Sequence, residues 1–115
     1  MFGTYIRQVR EKHRESDVSF SVRQVALRIG VEPAYLSKVE RELVSPPSEA
    51  TILRLANELD EDADVLLAMA GKVSSDLQQI IMKRPELLSA LIRTLKGLPD
   101  EAIVSIVREV RDGDW

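Results

Sequence analysis

The sequence has no cysteine among its 115 residues, which excludes disulfides, cysteine-ligated zinc, iron–sulfur clusters and thiol nucleophiles. No apolar run approaches the ~20 residues of a membrane span, and the N-terminus lacks the basic-then-apolar layout of a signal peptide. Aromatic residues make up only 4% of the chain, and β-branched residues never alternate with polar ones for long, so a sheet is not expected. We therefore expect a soluble, cytoplasmic protein without a sheet.

The sequence also lacks the residue combinations that are typical of catalytic sites. There is no Ser/His/Asp set, no Gly-rich phosphate loop and no cluster of metal-ligand residues. The single histidine, His13, stands in a charged run at the end of a predicted helix, and we expect it on the surface. We predict that the protein is not an enzyme and has neither a metal nor another cofactor.

The charge is unevenly distributed along the chain, although the net charge is only −3. Residues 1–45 carry eight Lys/Arg against six Asp/Glu, whereas residues 46–115 carry eight against thirteen. A weakly basic front and an acidic back suggest different roles for the two parts, with solvated helix faces as the alternative.

Apolar residues recur at helical spacing almost throughout, which predicts an all-α fold of about eight helices. We expect residues 1–72 to form one domain and residues 73–115 a helical C-terminal extension. The start and stop residues that delimit the first five helices are Ser21 with Gln24, Gly30, Glu32 with Pro33, Ser48, Asp60 or Asp62, and Gly71.

The segment 22–41 has the spacing of a helix-turn-helix unit. Such a unit needs a small residue where its helices cross, a glycine in the turn, and apolar residues that hold the second helix on the first. Ala26 is the small residue, and Gly30 permits the positive φ of the turn. Leu36 and Val39 follow six and nine residues after that glycine.

Further sequence blocks extend this pattern in the same order over roughly residues 3–71, and together they resemble the lambda-repressor/Cro-type helix-turn-helix family, often called the xenobiotic-response-element family. The blocks are Arg10-Glu11, Tyr35 to Arg41, Pro47 to Ala56, and Leu66-Leu67. The resemblance implies a five-helix domain whose third helix enters the major groove of DNA. It also implies an internal ion pair between Arg10 and Glu40.

Positions that match the family's DNA contacts lie on the second and third helices. Lys38 is expected to donate to guanine O6 and N7, and Ala34 to contact a thymine methyl. Glu32 either accepts from cytosine N4 or serves only as an N-cap, and Tyr35 either lines the groove wall or merely packs on the surface. The full set of expected DNA-binding residues is Ser21, Arg23 and Gln24 at the DNA backbone, and Glu32, Pro33, Ala34, Tyr35, Ser37 and Lys38 at the bases or the groove wall.

The sequence departs from the family in three places. The link between Arg10 and Ser21 is about five residues longer than usual, which predicts an extended first helix or a protruding loop. Glu42 stands where the family often has glycine, so a left-handed stop is disfavoured there, and the recognition helix is expected either over about residues 33–41 or running on beyond them. The loop 43–48 has no Lys or Arg, which leaves mainly backbone N–H groups at the start of the fourth helix to hold phosphate.

The C-terminal extension carries more apolar surface than a DNA-reading module needs. The five-helix domain already closes a core, which we expect to contain Leu36, Val39, Ile52, Leu55, Leu59, Val65 and Leu66. We therefore interpret the extension as a dimerisation element, with simple extension of the core as the alternative. The expected dimerisation residues are Leu88, Leu91, Ile92 and Leu95 on one helix and Ile103, Ile106, Val107 and Val110 on the next.

These observations predict a homodimeric regulator, most often a repressor in this family, that binds palindromic double-stranded DNA at the nucleoid. The alternative is an antitoxin or other interaction module whose acidic C-terminal helices bind a partner protein such as a toxin or a peptidase. Trp115 is either a frayed end or a docked interface anchor.

Overall fold

The computed structural model describes every residue from Met1 to Trp115, and its regular structure is entirely helical. This confirms the all-α fold of five helices followed by three more. None of the helices combines the length and the apolar character that crossing a bilayer requires. The helices are α1 Phe2–Arg14, α2 Val22–Ile29, α3 Pro33–Glu40, α4 Glu49–Leu59, α5 Ala63–Met69, α6 Ser75–Lys83, α7 Pro85–Leu95 and α8 Asp100–Asp112.

Side-chain caps begin three of these helices. The hydroxyl of Ser21 accepts a hydrogen bond from the backbone N–H three residues later at 3.2 Å, and the hydroxyl of Ser48 does the same at 3.4 Å. Asp62 rather than Asp60 begins α5, since its carboxylate accepts from the N–H three residues later at 3.1 Å. Each cap satisfies an N–H group that the helix itself leaves unpaired. The predicted starts at Ser21 and Ser48 are confirmed.

The recognition helix α3 ends at Glu40, within one residue of the expected span 33–41. The expectation that a left-handed stop is disfavoured at Glu42 is wrong, because Glu42 adopts a left-handed conformation with φ of 60°. The N–H of Leu43 donates to the carbonyl of Lys38 at 2.9 Å, and the N–H of Glu42 donates to that of Val39 at 3.0 Å. These two bonds satisfy carbonyls that the helix end leaves free, and they offset the strain of a non-glycine residue at positive φ.

The chain divides into two compact units, Met1–Ser74 with α1 to α5 and Ser75–Trp115 with α6 to α8. The first unit has a continuous core to which each of its helices contributes. Val65, which we expected in the core, is 48% exposed. Leu66, which we expected, and Leu67, which we did not, are both fully buried, and their shared direction on α5 leaves Val65 on the outer flank. The core consists of Phe2, Ile6, Val25, Ala26, Ile29, Leu36, Val39, Ile52, Leu55, Ala56, Leu59, Leu66 and Leu67.

The long link between α1 and α2 is ordered by its own polar groups. The first helix continues to Arg14, which agrees with the expectation of an extended first helix. A 3₁₀ turn at Val18–Phe20 follows it. Asp17 caps this turn, because its carboxylate accepts from the backbone N–H of Ser19 at 2.9 Å and from the Ser19 hydroxyl at 2.7 Å. These bonds lower the pKa of the Asp17 carboxyl.

The placement of His13 corrects the expectation of a surface histidine. His13 lies in the last turn of the extended α1, next to the link, and is half-buried. Its ring stacks on Phe20 with the ring centroids 4.7 Å apart. Its Nε2 lies 2.8 Å from the carbonyl oxygen of Leu59 at the end of α4. His13 therefore joins the link to the first unit's core helices.

The second unit buries none of its side chains. On α7 and α8, Leu88, Leu95, Ile103 and Ile106 are half-buried. The remaining predicted dimerisation residues are between 47% and 58% exposed, namely Leu91, Ile92, Val107 and Val110. Aliphatic side chains therefore remain at the surface of this unit.

The C-terminal tryptophan folds back on its own helix. The indole Nε1 of Trp115 donates to the carbonyl of Val110 at 2.7 Å, while the residue stays 90% exposed. Its polar group is thus paired on α8 and its ring faces solvent.

Candidate nucleic-acid interface

The crossing of α2 and α3 is built around Ala26. This residue is fully buried, together with Val25 and Ile29 on the same side of α2. Gly30 ends the helix with φ of 78°, and the N–H of Val31 donates to the carbonyl of Ala26 at 3.0 Å. The turn therefore has the left-handed geometry that the helix-turn-helix spacing predicted.

The recognition helix α3 has one buried and one exposed face. Leu36, Val39 and Glu40 are buried against the rest of the first unit. Ala34 and Lys38 are exposed on the opposite side. Because residues four apart share a helix face, these two lie one turn above the other. The ammonium of Lys38 has no hydrogen bond or ion pair within the protein.

The other predicted residues of α3 are more enclosed. Pro33 begins the helix and is half-buried, as are Tyr35 and Ser37. Tyr35 packs partly against the core. Glu32 is exposed and occupies the N-cap position, but its side chain makes no capping bond. Its carboxylate is therefore not used in starting the helix.

The N-terminus of α2 presents the predicted backbone-contacting residues. Ser21 is half-buried and its hydroxyl is engaged in the cap, whereas Arg23 and Gln24 are exposed in the first turn. The guanidinium of Arg23 has no acidic partner. A free cation beside the positive end of a helix suits an anionic ligand.

A buried ion pair connects α1 to the end of α3, as the family resemblance implied. Arg10 donates through Nε to Glu40 at 2.7 Å and through a second guanidinium nitrogen to the other carboxylate oxygen at 2.8 Å. Both side chains are almost wholly buried. The hydrogen bonds that Arg10 donates to the Glu40 carboxylate raise the pKa of the Arg10 guanidinium. A third bond joins Arg10 to the carbonyl of Phe20 at 3.0 Å, so one side chain holds α1, the link and α3 together.

Three arginines on or near this surface were not predicted from the sequence. Arg41 is exposed at the end of α3, four residues after Ser37, whose carbonyl accepts from its Nε at 3.3 Å. That spacing was a sufficient indication of a shared face. Arg28 and Arg54 each bond to main-chain carbonyls 9 and 25 residues away in sequence. No local pattern predicts such partners, since the first depends on the packing of the link against α2 and the second on the packing of α4 against α2.

Comparison with known proteins agrees with this geometry. A model of the helix-turn-helix family matches residues 6–66, which is just over half of the chain. No curated protein and no solved structure matches the chain. The matched residues run from Ile6 in α1 to Leu66 in α5 and include the whole α2–turn–α3 unit. The chain therefore belongs to the lambda-repressor/Cro-type helix-turn-helix family and is a DNA-binding regulator of that family.

Proposed function

We propose that the protein is a sequence-specific transcriptional repressor that binds a palindromic operator as a homodimer, with α3 in the major groove. The observation that carries this proposal is the exposed face of α3. It presents the unpaired ammonium of Lys38 beside Ala34, while the opposite face is locked into the core. The major groove is about 12 Å wide and admits one helix, and it distinguishes all four base pairs.

Base reading falls to side chains on or next to the exposed face of α3. Lys38 donates to guanine O6 and N7, and Ala34 contacts a thymine methyl. Ser37 and Glu32 offer a hydroxyl and a free carboxylate to neighbouring base edges, and the carboxylate selects cytosine N4. Pro33 and Tyr35 shape the surface that meets the groove wall.

Phosphate binding falls to two helix N-termini. Arg23 and Gln24 present free donors in the first turn of α2, next to the Ser21 cap. The loop 43–48 carries no basic side chain. The backbone N–H groups at the start of α4 therefore bind phosphate in place of such a side chain. So few cations per subunit give each monomer low affinity, which favours binding as a dimer.

Residues 73–115 supply the dimer interface in this proposal, and residues 1–72 the DNA-binding domain. The unit Ser75–Trp115 contains no buried side chain, and a unit of that size rarely folds without a partner surface. Its six Lys/Arg against seven Asp/Glu give a net charge of only −1, so two copies do not repel each other. Pairing of the α7 and α8 faces covers the exposed aliphatics on both copies.

The experiment that tests the proposal is selection of bound duplexes from a random pool by the full-length protein. We expect an inverted repeat whose half-site centres lie about 34–36 Å apart, because a two-fold dimer places two recognition helices on one face of the duplex. A reporter gene placed behind the selected sequence then shows the direction of regulation, with reduced expression expected. Recovery of random sequences, or of a single half-site, would contradict the proposal.

The exposed aliphatics of α7 and α8 also support a second candidate function, binding of a partner protein such as a toxin or a peptidase. The acidic character of that surface, on which this alternative depended, is weak. The surplus of acidic residues in the back part of the chain lies mostly in residues 46–74, with six Asp/Glu against two Lys/Arg. We therefore favour a second copy of the chain over a partner protein as the molecule that binds this surface.

A further inference from the structure

One side chain of α4 reaches the turn between α2 and α3. Arg54 donates through Nε to the carbonyl of Ile29 at 2.9 Å and through a second guanidinium nitrogen to the hydroxyl of Thr51 at 3.2 Å. Ile29 is the last residue of α2, so its carbonyl is one of those that a helix leaves without an internal partner. Arg54 therefore caps α2 from a different helix.

The contact continues from Thr51 to the start of α4. The hydroxyl of Ser48, which caps α4, lies 3.3 Å from the hydroxyl of Thr51. Thr51 is 8% exposed, whereas Ser48 and Arg54 are exposed residues whose bonds in this chain are partly buried. A chain of hydrogen bonds thus runs from Ile29 through Arg54 and Thr51 to Ser48. We call these four residues the turn–α4 relay.

The two ends of the relay adjoin the two elements that the proposed function places against DNA. At one end, Gly30 and Val31 lead into α3, which reads bases. At the other end, the N–H groups at the start of α4 hold phosphate. Reading a base edge requires side chains held within about 0.5 Å of the productive geometry. A phosphate anchor fixes that geometry only if it is tied to the reading helix.

We infer that Arg54 is a positioning residue for sequence discrimination, because it fixes the base-reading helix relative to the phosphate anchor of α4. This inference rests on the proposed function. Without Arg54, α3 and the start of α4 still contact DNA, but the side chains of α3 meet the base edges in a broader range of positions. The loss therefore falls more on the preferred sequence than on random DNA. Nonspecific binding depends on charge, and Arg54→Met and a control that removes another arginine lose the same charge.

Arg28 provides a matched control on the same pair of helices. It ties α2 to α4 through Glu58 at 2.7 Å, and it donates to the carbonyl of Ser19 at 2.8 Å. Its guanidinium carbon also lies 5.1 Å from the ring centroid of Phe20. None of these contacts touches the turn. Arg28→Met therefore removes a comparable set of contacts without breaking the relay.

The test compares Arg54→Met and Arg28→Met with the full-length wild type on the selected duplex and on random duplex. Both affinities are measured at a temperature at which circular dichroism shows every protein fully folded. We expect Arg54→Met to lower the ratio of preferred to random affinity about tenfold, and Arg28→Met to leave this ratio within twofold. Arg54→Lys keeps a donor for Ile29 and should restore part of the ratio. Thr51→Val, which removes the hydroxyl and keeps the shape of the side chain, should lower the ratio by a smaller factor than Arg54→Met does.

Amide hydrogen exchange of the free protein measures the turn itself. The Gly30 and Val31 amides bond to carbonyls of α2 at 3.2 and 3.0 Å. They should exchange at least tenfold faster in Arg54→Met, and at the wild-type rate in Arg28→Met. If Arg54→Met does not fold, Arg54→Lys and Thr51→Val carry both measurements.

Equal weakening on both duplexes would overturn the inference, because it would show that Arg54 acts through phosphate or through stability alone. An unchanged ratio, or unchanged exchange in the turn, would overturn it as well. Failure of the proposed function is distinguishable from these results, since the wild type itself would then show no preference between the two duplexes.

Discussion

Individual side chains on the presented surface differ in whether the protein already uses their charge. The Arg10 and Arg28 guanidiniums are engaged with carboxylates, so their charge is balanced inside the fold. Arg23 and Lys38 have no such partner, which leaves their charge available to phosphate or to base edges. Substitutions at these two positions should therefore change DNA binding while leaving stability nearly unchanged, as surface substitutions usually do.

Lys38→Ala should abolish sequence preference without unfolding the protein. Removing a donor to guanine costs about 1–3 kcal/mol on the preferred duplex and little on random DNA. Competition binding on the two duplexes measures the difference, and Lys12→Ala, an exposed lysine on α1, is the matched control. Equal weakening on both duplexes would show that Lys38 touches phosphate only.

Arg23→Ala should weaken binding to every sequence. Loss of one phosphate contact reduces the log–log salt dependence of the binding constant by about 1 unit. Titrations at several salt concentrations give this slope. Arg7→Ala, an exposed arginine on α1, should leave the slope unchanged. A wild-type slope in Arg23→Ala would exclude this residue as a phosphate contact.

Asp17 should make the link between α1 and α2 sensitive to acid. Its bonds to Ser19 lower the pKa of the carboxyl in the folded protein, whereas the unfolded value is about 3.9. The stabilisation is therefore present above pH 4 and is lost as the pH falls through the folded-state pKa. Asp17→Asn should have a lower melting temperature than the wild type at pH 7, and the difference between the two melting temperatures should narrow towards pH 2. A difference that stays constant with pH would show that the charge of this carboxylate does not stabilise the fold.

At the scale of elements, α3 depends on packing rather than on its own helix propensity. It has only eight residues, and an isolated helix of that length is not stable in water. Pro33 sets its start, the two bonds after Glu40 set its end, and the Arg10–Glu40 pair fixes it to α1. The position of the reading surface is therefore decided by neighbouring elements.

At Gly3, α1 approaches the end of α3 too closely for a larger residue. A Cβ at this position would lie 2.0 Å from the carbonyl oxygen of Val39. Gly3→Ala must therefore push the two helices apart, and overpacking of this kind costs about 1–3 kcal/mol. Chemical denaturation measures the loss. Gly97→Ala is the matched control, since a Cβ there meets no atom within 4 Å. Equal stability of the two variants would contradict the close approach.

At the scale of the whole molecule, the two units differ in what holds them together. The first unit has a closed core of aliphatic side chains. The second unit leaves the aliphatics of α7 and α8 half-buried or exposed. A protein that keeps this much apolar surface in water tends to associate.

The full-length protein should sediment as a dimer at micromolar concentration. Leu91→Glu places a charge on the exposed aliphatic face of α7 and should give a monomer with most operator affinity lost. Ser89→Glu adds the same charge at another exposed position of α7 and should stay dimeric. A chain ending at Lys72 should remain helical, become monomeric and keep only weak nonspecific binding. A monomeric wild type, or a truncated chain that still dimerises, would show that residues 73–115 have another role.

Local residue patterns determined much of this protein. The caps at Ser21 and Ser48, the left-handed stop at Gly30 and the inward spacing of Leu36 and Val39 are properties of neighbouring residues, so the helices and the helix-turn-helix unit follow from the sequence. The exposure of Lys38 also follows, because a buried stripe on a helix leaves the opposite face in solvent.

Only the tertiary structure decided which groups meet across long separations. The half-buried His13 depends on Phe20 in the link and on the carbonyl that ends α4. Arg54 reaches the turn of the helix-turn-helix unit only because α4 packs beside α2. A sequence reveals the preferences of one helix at a time, whereas these contacts join elements whose separation is set by the shared core.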